Sequence, residues 1–452
     1  METTDVLVIG GSAAGIVAAT TGKAFHKNKK FTLLRKEQEV LVPCGIPYIF
    51  GSLNSSEQDV IPETGLAEAG VELKIAEAVS LDPELKRCRL ADGEEIAFEK
   101  AVIATGSLPA HPSWLKGADL EQVYSIPKNK NYLDQFGGQL EGIEKIVVIG
   151  GGFIGVELAD ELNKINKDVT IVEMLPHVLS LAFDSELALR AQELLESRGV
   201  CVRGGCRVKE LMGDKKVEKI LLEGGETIAV DAVILSTGYR PNNSLAESAG
   251  LQINDMGFIK VDEYMRTAHK DIFAVGDCAE KHSFITRTLK GVMLASAACA
   301  EARIAGMNLY KLSTLRAFTG NISIFCTCIG DTAFGAAGVT EALASERGFE
   351  VITGTFEGID KHPGTLPGVH KQLVKLIVDK ESGVILGGEV IGGESSGELI
   401  NMVGLMIQNR MTVNSLLTFQ IGTHPLLTGP PTAYPLIKAA EAVVMQHCAF
   451  NN

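Results

Sequence analysis

The sequence predicts an α/β protein: two Rossmann-like dinucleotide-binding domains followed by a C-terminal α+β domain. Three observations carry that prediction. DVLVIGGSAAGIVAA at 5–19 and KIVVIGGGFIGVELA at 145–159 are variants of one phrase. Each is followed by a matched second phrase, KAVIATGSLP at 100–109 and DAVILSTGYRPN at 231–242. From about residue 319 the nucleotide turn disappears. FTGNISIFCTCIGDTAFGAAGV and VHKQLVKLIVDKESGVILGGEVIG then alternate as antiparallel strands do, and GELINMVGLMIQNRM takes helical spacing.

In each repeated phrase a β-branched run meets a glycine turn and then helix formers, the strand–turn–helix opening of a dinucleotide-binding unit. Gly10 and Gly150 permit the tight turn, and Gly15 and Gly155 let helix and strand pack closely. At the middle position Gly152 leaves room for a phosphate, and Ser12 is a small substitute for it. The helix N-terminus aims its free N–H groups at the pyrophosphate. KAVIATG and AVILSTG read as strands ending in Thr-Gly, where the chain crosses close to a nucleotide. DIFAVGDCAE (271–280) ends another β-rich run at Gly276-Asp277. Asp277 at a strand's carboxyl end suits the hydroxyls of a flavin's ribityl chain; a helix cap is the plainer alternative.

The chain has 452 residues, enough for about three domains, with 46% hydrophobic and 22% charged residues. Its formal charge of -14 argues against a nucleic-acid or anionic-membrane partner. No apolar run reaches the length of a membrane span, and the N-terminus enters a strand pattern at once, leaving no room for a signal peptide. Nine cysteines, mostly in apolar patterns, suit reduced thiols and a cytoplasmic location. Cys326 and Cys328 alternate as residues on one strand face, and no metal site is expected.

VPCGIPY (42–48) holds Cys44 between two prolines that fix the backbone, with no cysteine nearer in the chain than Cys88. Alone, such a thiol reads as a small hydrophobe.

Taken together, these motifs resemble the pyridine nucleotide–disulfide oxidoreductases, over essentially the whole chain and in that family's order. The resemblance implies an FAD domain at 1–111 and 243–318, an NAD(P)H domain at 112–242 and a dimerisation domain at 319–452. It implies FAD contacts from Gly10, Ser12, Ala13, Ala14, Gly15, Arg35, Lys36, Pro43, Val79, Ala104, Thr105, Gly106, Gly276, Asp277 and Ala295. It implies NAD(P)H contacts from Gly150, Gly152, Phe153, Ile154, Gly155, Glu157, Glu173 and Gly238, with Phe153 as an aromatic gate and Glu157 projecting toward the isoalloxazine. Glu173 ends DVTIVEM where an acidic residue binds ribose hydroxyls and repels a 2′-phosphate, so NADH is expected over NADPH. The first copy departs from the pattern: Arg35 stands at that position, with Glu37 two residues on. Either Glu37 substitutes, or Arg35 stacks on the adenine or binds the pyrophosphate, or Arg35 is a solvated surface charge.

Within the resemblance Cys44 falls where the family sets a redox sulfur against the flavin. Members with two cysteines separate them by four residues, and here that position is Ile49. What remains resembles the single-cysteine branch: coenzyme A–disulfide, persulfide and polysulfide reductases, NADH oxidases and NADH peroxidases. CGIPY is most like the coenzyme A–linked members. The implied activity is NADH-dependent reduction of a small disulfide, persulfide or polysulfide, with coenzyme A as a candidate ligand, by a homodimer. The alternatives are reduction of O2 or peroxide through a sulfenic acid, and a redox-responsive binding protein. The thiolate requires a lowered pKa, supplied by flavin, helix N-termini and a general base. His424 in IGTHPLLTGPP looks like the family's His-Pro base from the partner subunit, although Gly429 replaces the glutamate that orients it. Leu366 stands where coenzyme A–disulfide reductases carry a tyrosine, with Tyr434 nearby in sequence. Lys23, His26 and Lys27 in GKAFHKNKK are either coenzyme A phosphate ligands or a solvated helix end.

Overall fold

Val6, Leu7 and Val8 are fully buried, as a strand covered on both faces requires. They belong to Glu2–Ile9, which runs inside a seven-stranded sheet. The computed structural model describes residues 1–450, with side chains as far as His447. Glu2–Ile9 lies parallel to Phe31–Arg35, with Val6 opposite Phe31, and to Glu95–Ile103, with Val8 opposite Val102. Glu72–Ile75 extends the sheet beyond Phe31–Arg35. The outer edge of Glu95–Ile103 is divided between two partners. Arg87–Leu90 pairs antiparallel with its first half, and Ile272–Ala274 pairs parallel with its second. The helix Ala13–Phe25 crosses Ala295–Asn308 at close range, since a Cβ on Gly306 would lie 2.9 Å from the Ala18 carbonyl oxygen.

The second motif builds a five-stranded parallel sheet in the order 201–203, 168–172, 145–149, 232–235, 123–125. A three-stranded antiparallel sheet, 208–212, 219–222 and 227–229, accompanies it. Where the chain passes between the two units, Ser107–Pro109 pairs antiparallel with Tyr239–Pro241. Beyond residue 324 five antiparallel strands follow the order 325–329, 332–338, 385–392, 371–379, 351–359. Helices Ser395–Gln408 and Pro435–Phe450 share their core, in which Val374, Leu376, Val390, Ile400 and Ala439 are fully buried. Each such aliphatic side chain contributes about 1.5–3 kcal/mol. On Phe325–Ile329, Thr327 is buried while Cys326 is exposed and Cys328 half-buried, the alternation expected of that strand. No helix among the described residues is long and apolar enough to cross a membrane.

Candidate active site

Both glycine turns are too tight for any other residue. Gly10 has φ +121°, and a Cβ there would lie 2.1 Å from the Ala104 carbonyl oxygen; Gly150, at φ +110°, would meet Ser236 O at 2.3 Å. Gly15 and Gly155 press on the carbonyls of Gly10 and Gly150 with hypothetical Cβ distances of 1.9 and 2.0 Å. Ser12 and Gly152 are the helix N-caps; the Ser12 side chain caps no backbone N–H, and Gly152 has no side chain to do so. The first helical residues, Ala13 and Ala14 in one copy and Phe153 and Ile154 in the other, therefore start helices whose N–H groups are free for a phosphate. A Cβ at Gly152 would meet nothing within 4 Å, so that turn is open toward a ligand. The cradles fit FAD and a nicotinamide dinucleotide.

The Thr-Gly crossings lean on each other: Thr105 Oγ1 donates to Asn242 O at 2.6 Å, and Asn242 N donates to Gly106 O at 2.9 Å. Gly106 and Gly238 both take positive φ. Gly276, at φ +79°, seats the next turn against Ala14 on the first motif helix, and Ala295 opens the helix that follows. Lys36 is exposed beside Glu77, and Val79 lies exposed on Ala78–Asp82.

The second-strand ends differ. Glu173 accepts from Gly151 N at 2.6 Å and Leu175 N at 2.7 Å, so its carboxylate is fixed at the turn of the second motif. Arg35 is buried, which removes the solvated-charge reading. Its stem packs on Gly11, and its Nη2 donates to Gln38 O at 2.6 Å and pairs with Glu63. The Nη2 end of the guanidinium is thus engaged by the protein's own acceptors, while the buried Nε has no partner among the described residues.

Cys44 lies in the turn before the 3-10 helix Ile46–Phe50, and its thiol is accessible. The turn is held by Gly45 N donating to Val42 O, and by Val42 N donating to Asp59 O, both at 2.8 Å. Four charged groups act on the sulfur, from both units: Glu157, Lys128, Asp277 and Asp59. Burial, then Glu157, push the thiol up from its ordinary value, with Asp277 and Asp59 adding to this; Lys128 pulls it down. The sequence expectation of a lowered pKa is therefore corrected for the protein's own groups, because burial disfavours the thiolate and Glu157, Asp277 and Asp59 add to this against Lys128 alone.

Lys128 has no signal in the sequence. It reaches the site from the loop after Val123–Ser125, donating to Asp277 Oδ2 at 2.8 Å and Ser107 Oγ at 3.0 Å. Burial alone would push Asp277 up, but Lys128 and Ser107 outweigh it and hold the carboxyl below its usual range. Glu157 accepts from Thr327 Oγ1 at 2.7 Å and from the Tyr48 hydroxyl. Burial still pushes Glu157 up to about 7. One turn on, Glu161 accepts from Ser52 N at 2.5 Å and Ser52 Oγ at 3.0 Å. Phe153 stacks on Phe325 at 5.0 Å between centroids. The second motif helix thus carries acidic groups that tie the Cys44 segment and the C-terminal sheet to the second motif's unit.

His424 lies in an exposed turn, its Nδ1 accepting from Leu426 N at 3.2 Å. It is not among the charged groups acting on Cys44 within one chain. Lys23 Nζ donates to the carbonyls of Lys27 and Lys29, and His26 packs edge-on to Tyr310, so both close the helix end.

The chain matches the model described as pyridine nucleotide-disulphide oxidoreductase over residues 4–302, and that family's dimerisation-domain model over residues 324–433. It belongs to this family. Membership makes it an NAD(P)H-dependent flavin oxidoreductase with a C-terminal dimerisation domain. A protein named NADH oxidase from Methanocaldococcus jannaschii is 30% identical, with 96% of this chain and 97% of that protein aligned. An NAD(P)H coenzyme A polysulfide/persulfide reductase from Pyrococcus horikoshii is 29% identical, with 97% and 98% aligned. The solved NAD-dependent persulfide reductase from A. fulgidus superposes with a TM-score of 0.90 at 29% identity, covering 98% of this chain and 84% of that one.

Proposed function

We propose that this flavoenzyme uses NADH to reduce a small disulfide, persulfide or polysulfide, coenzyme A–linked ones included, through Cys44. The observation that carries this reading is an accessible thiol on a turn fixed between two prolines, with Asp277 of the flavin motif and Glu157 of the nicotinamide motif both acting on it. That supports a redox sulfur lying where the two units meet. The two relatives named as persulfide reductases support the sulfur substrate. FAD held by the first glycine turn and Asp277 would supply the two-electron relay between NADH and sulfur.

The chain's own groups divide the remaining work. The glycine turns and helix N-termini would bind the pyrophosphates, and Asp277 would orient the ribityl chain. Lys128 supplies the positive charge that favours thiolate at Cys44, and Glu157, titrating at about 7, holds or releases a proton beside it. His424 of a second copy is the proposed acid–base group for the departing thiol, which makes the homodimer the working unit. Glu173, fixed by two backbone N–H groups, disfavours a 2′-phosphate and selects NADH.

The test is anaerobic stopped-flow. Flavin bleached by NADH is expected to reoxidise rapidly with coenzyme A disulfide or persulfide. Cys44→Ser is expected to keep its flavin and lose sulfur-linked turnover by at least about 10³-fold; undiminished turnover removes Cys44 from the mechanism. The second reading, reduction of O2 or peroxide through a sulfenic acid, is favoured by relatives named NADH oxidase. It is distinguished by reoxidation with O2 or peroxide alone.

A further inference from the structure

We propose that Asp59 is the redox-linked proton acceptor of the Cys44 turn, a positioning role that rests on Cys44 being the redox sulfur. Asp59 ends the short 3-10 turn Ser56–Asp59 and is brought to the cysteine by backbone pairing. Leu41 bridges Val60, and Val42 N donates to Asp59 O at 2.8 Å. The carboxylate packs directly on Gly45, the residue after Cys44: a Cβ on Gly45 would lie 1.8 Å from Asp59 Oδ1 and 3.2 Å from Oδ2. Gly45 is therefore the only residue type that lets the acid approach this peptide.

Asp59 is 4% exposed, and among the described residues no donor reaches its Oδ2. A buried carboxylate serving only to hold the loop would be satisfied by N–H groups, as Glu161 is by Ser52. An unpaired one resists ionisation, and burial alone pushes Asp59 up to about 6. Such a group changes charge readily when a negative charge appears next to it. The charged groups facing the sulfur besides Asp59 are Glu157, Lys128 and Asp277. Asp277 already holds Lys128 and Ser107, and Glu157 holds Thr327 and Tyr48. Of these three carboxylates, Asp59 is the one whose buried oxygen has no such partner among the described residues.

The step balances as follows. Two electrons from NADH break the bond between Cys44 Sγ and a second sulfur, leaving thiolate on Cys44 and releasing the other sulfur as thiol. NADH becomes NAD+ and contributes one proton, and a second enters from solvent. One proton leaves on the thiol and the other resides on Asp59, so the thiolate forms without a net gain of negative charge in the turn.

The experiment uses the full-length flavoprotein with Cys44 converted to its mixed disulfide with 2-mercaptoethanol. It is reduced by one equivalent of NADH at about pH 7 with a pH indicator present. Wild type is expected to take up about one proton per NADH, and Asp59→Asn none. A second measurement follows iodoacetamide alkylation of Cys44 in the reduced protein, with peptide mass analysis, from about pH 5 to 10. In wild type the rate should show a step above about pH 7, where Asp59 releases the proton it took up on reduction, and Glu157→Gln should keep that step. In Asp59→Asn the profile should lack the step, since no group there takes up the proton. Equal proton uptake in the two proteins, or a wild-type profile with no step between about pH 7 and 9, overturns the proposal; the wild-type profile decides even if Asp59→Asn does not fold. Failure of the Cys44 reading shows separately, as undiminished sulfur-linked turnover in Cys44→Ser.

Discussion

The two glycine motifs share a backbone and differ in what surrounds it. At the second-strand end, Glu173 grips the turn through Gly151 N, whereas Arg35 lays its stem on Gly11 and faces away to Gln38 and Glu63. Along the helix, Glu157, Asp160, Glu161 and Lys164 of the second copy stand where the first has Val17, Thr20, Thr21 and Ala24. The first helix meets another helix through small residues, Gly22 and Gly306. The second meets Ser52, Thr327 and the Gly330 N–H, which offer hydrogen bonds. A duplicated unit keeps what holds a pyrophosphate and diverges where its neighbours differ.

The largest expected effects come from the shared part. Gly10→Val drives a side chain into the Ala104 carbonyl and is expected to yield colourless protein, read from the flavin absorbance. Gly150→Val meets Ser236 in the same way but should leave the protein yellow and abolish bleaching by NADH. If both variants lose flavin, the two cradles are not independent. Next, Glu173→Arg gives the second copy the first copy's residue. It should lower kcat/KM for NADH by about 10- to 100-fold and raise it for NADPH, because a fixed carboxylate and its hydrogen bonds are lost. Steady-state kinetics with both nucleotides checks this.

The reverse exchange, Arg35→Glu, should cost about 1–2 kcal/mol, less than a fully buried pair because Glu63 is half exposed. Denaturant unfolding with flavin bound measures it, and an unchanged midpoint removes the Arg35–Glu63 pair from the stability account. The last effect concerns pH. Glu157 has a folded pKa raised to about 7, above that of the unfolded chain. Its contribution to stability is therefore present at low pH and is lost as pH rises from about 4.5 through 7. Glu157→Gln should flatten that part of the pH–stability curve.

The sequence displays what is local. Glycine turns, Thr-Gly strand ends and alternating strands are encoded by neighbours within about ten residues, so the α/β class and both motifs are legible. Cys44 is legible as a fixed thiol because its prolines are adjacent. Lys128, Asp59 and Thr327 are not, since each reaches the sulfur's surroundings by tertiary pairing: a loop after a short strand, an isolated bridge between Leu41 and Val60, and an edge strand of another sheet. Arg35 shows the same limit from the other side. Its departure from an acidic residue is visible in FTLLRKE, but its partner Glu63 lies 28 positions away and carries no pattern that announces it.

The divided edge of Glu95–Ile103 bears on how the molecule is made. Its second half waits for Ile272–Ala274, which follows the whole five-stranded parallel sheet of the second motif. During synthesis the first motif's sheet is therefore left with a bare strand edge at Ala101–Ile103 while some 170 further residues emerge. The order of manufacture differs from the order of assembly: the inserted unit has all the strands of its own sheets first, and the first motif's sheet can close only afterwards.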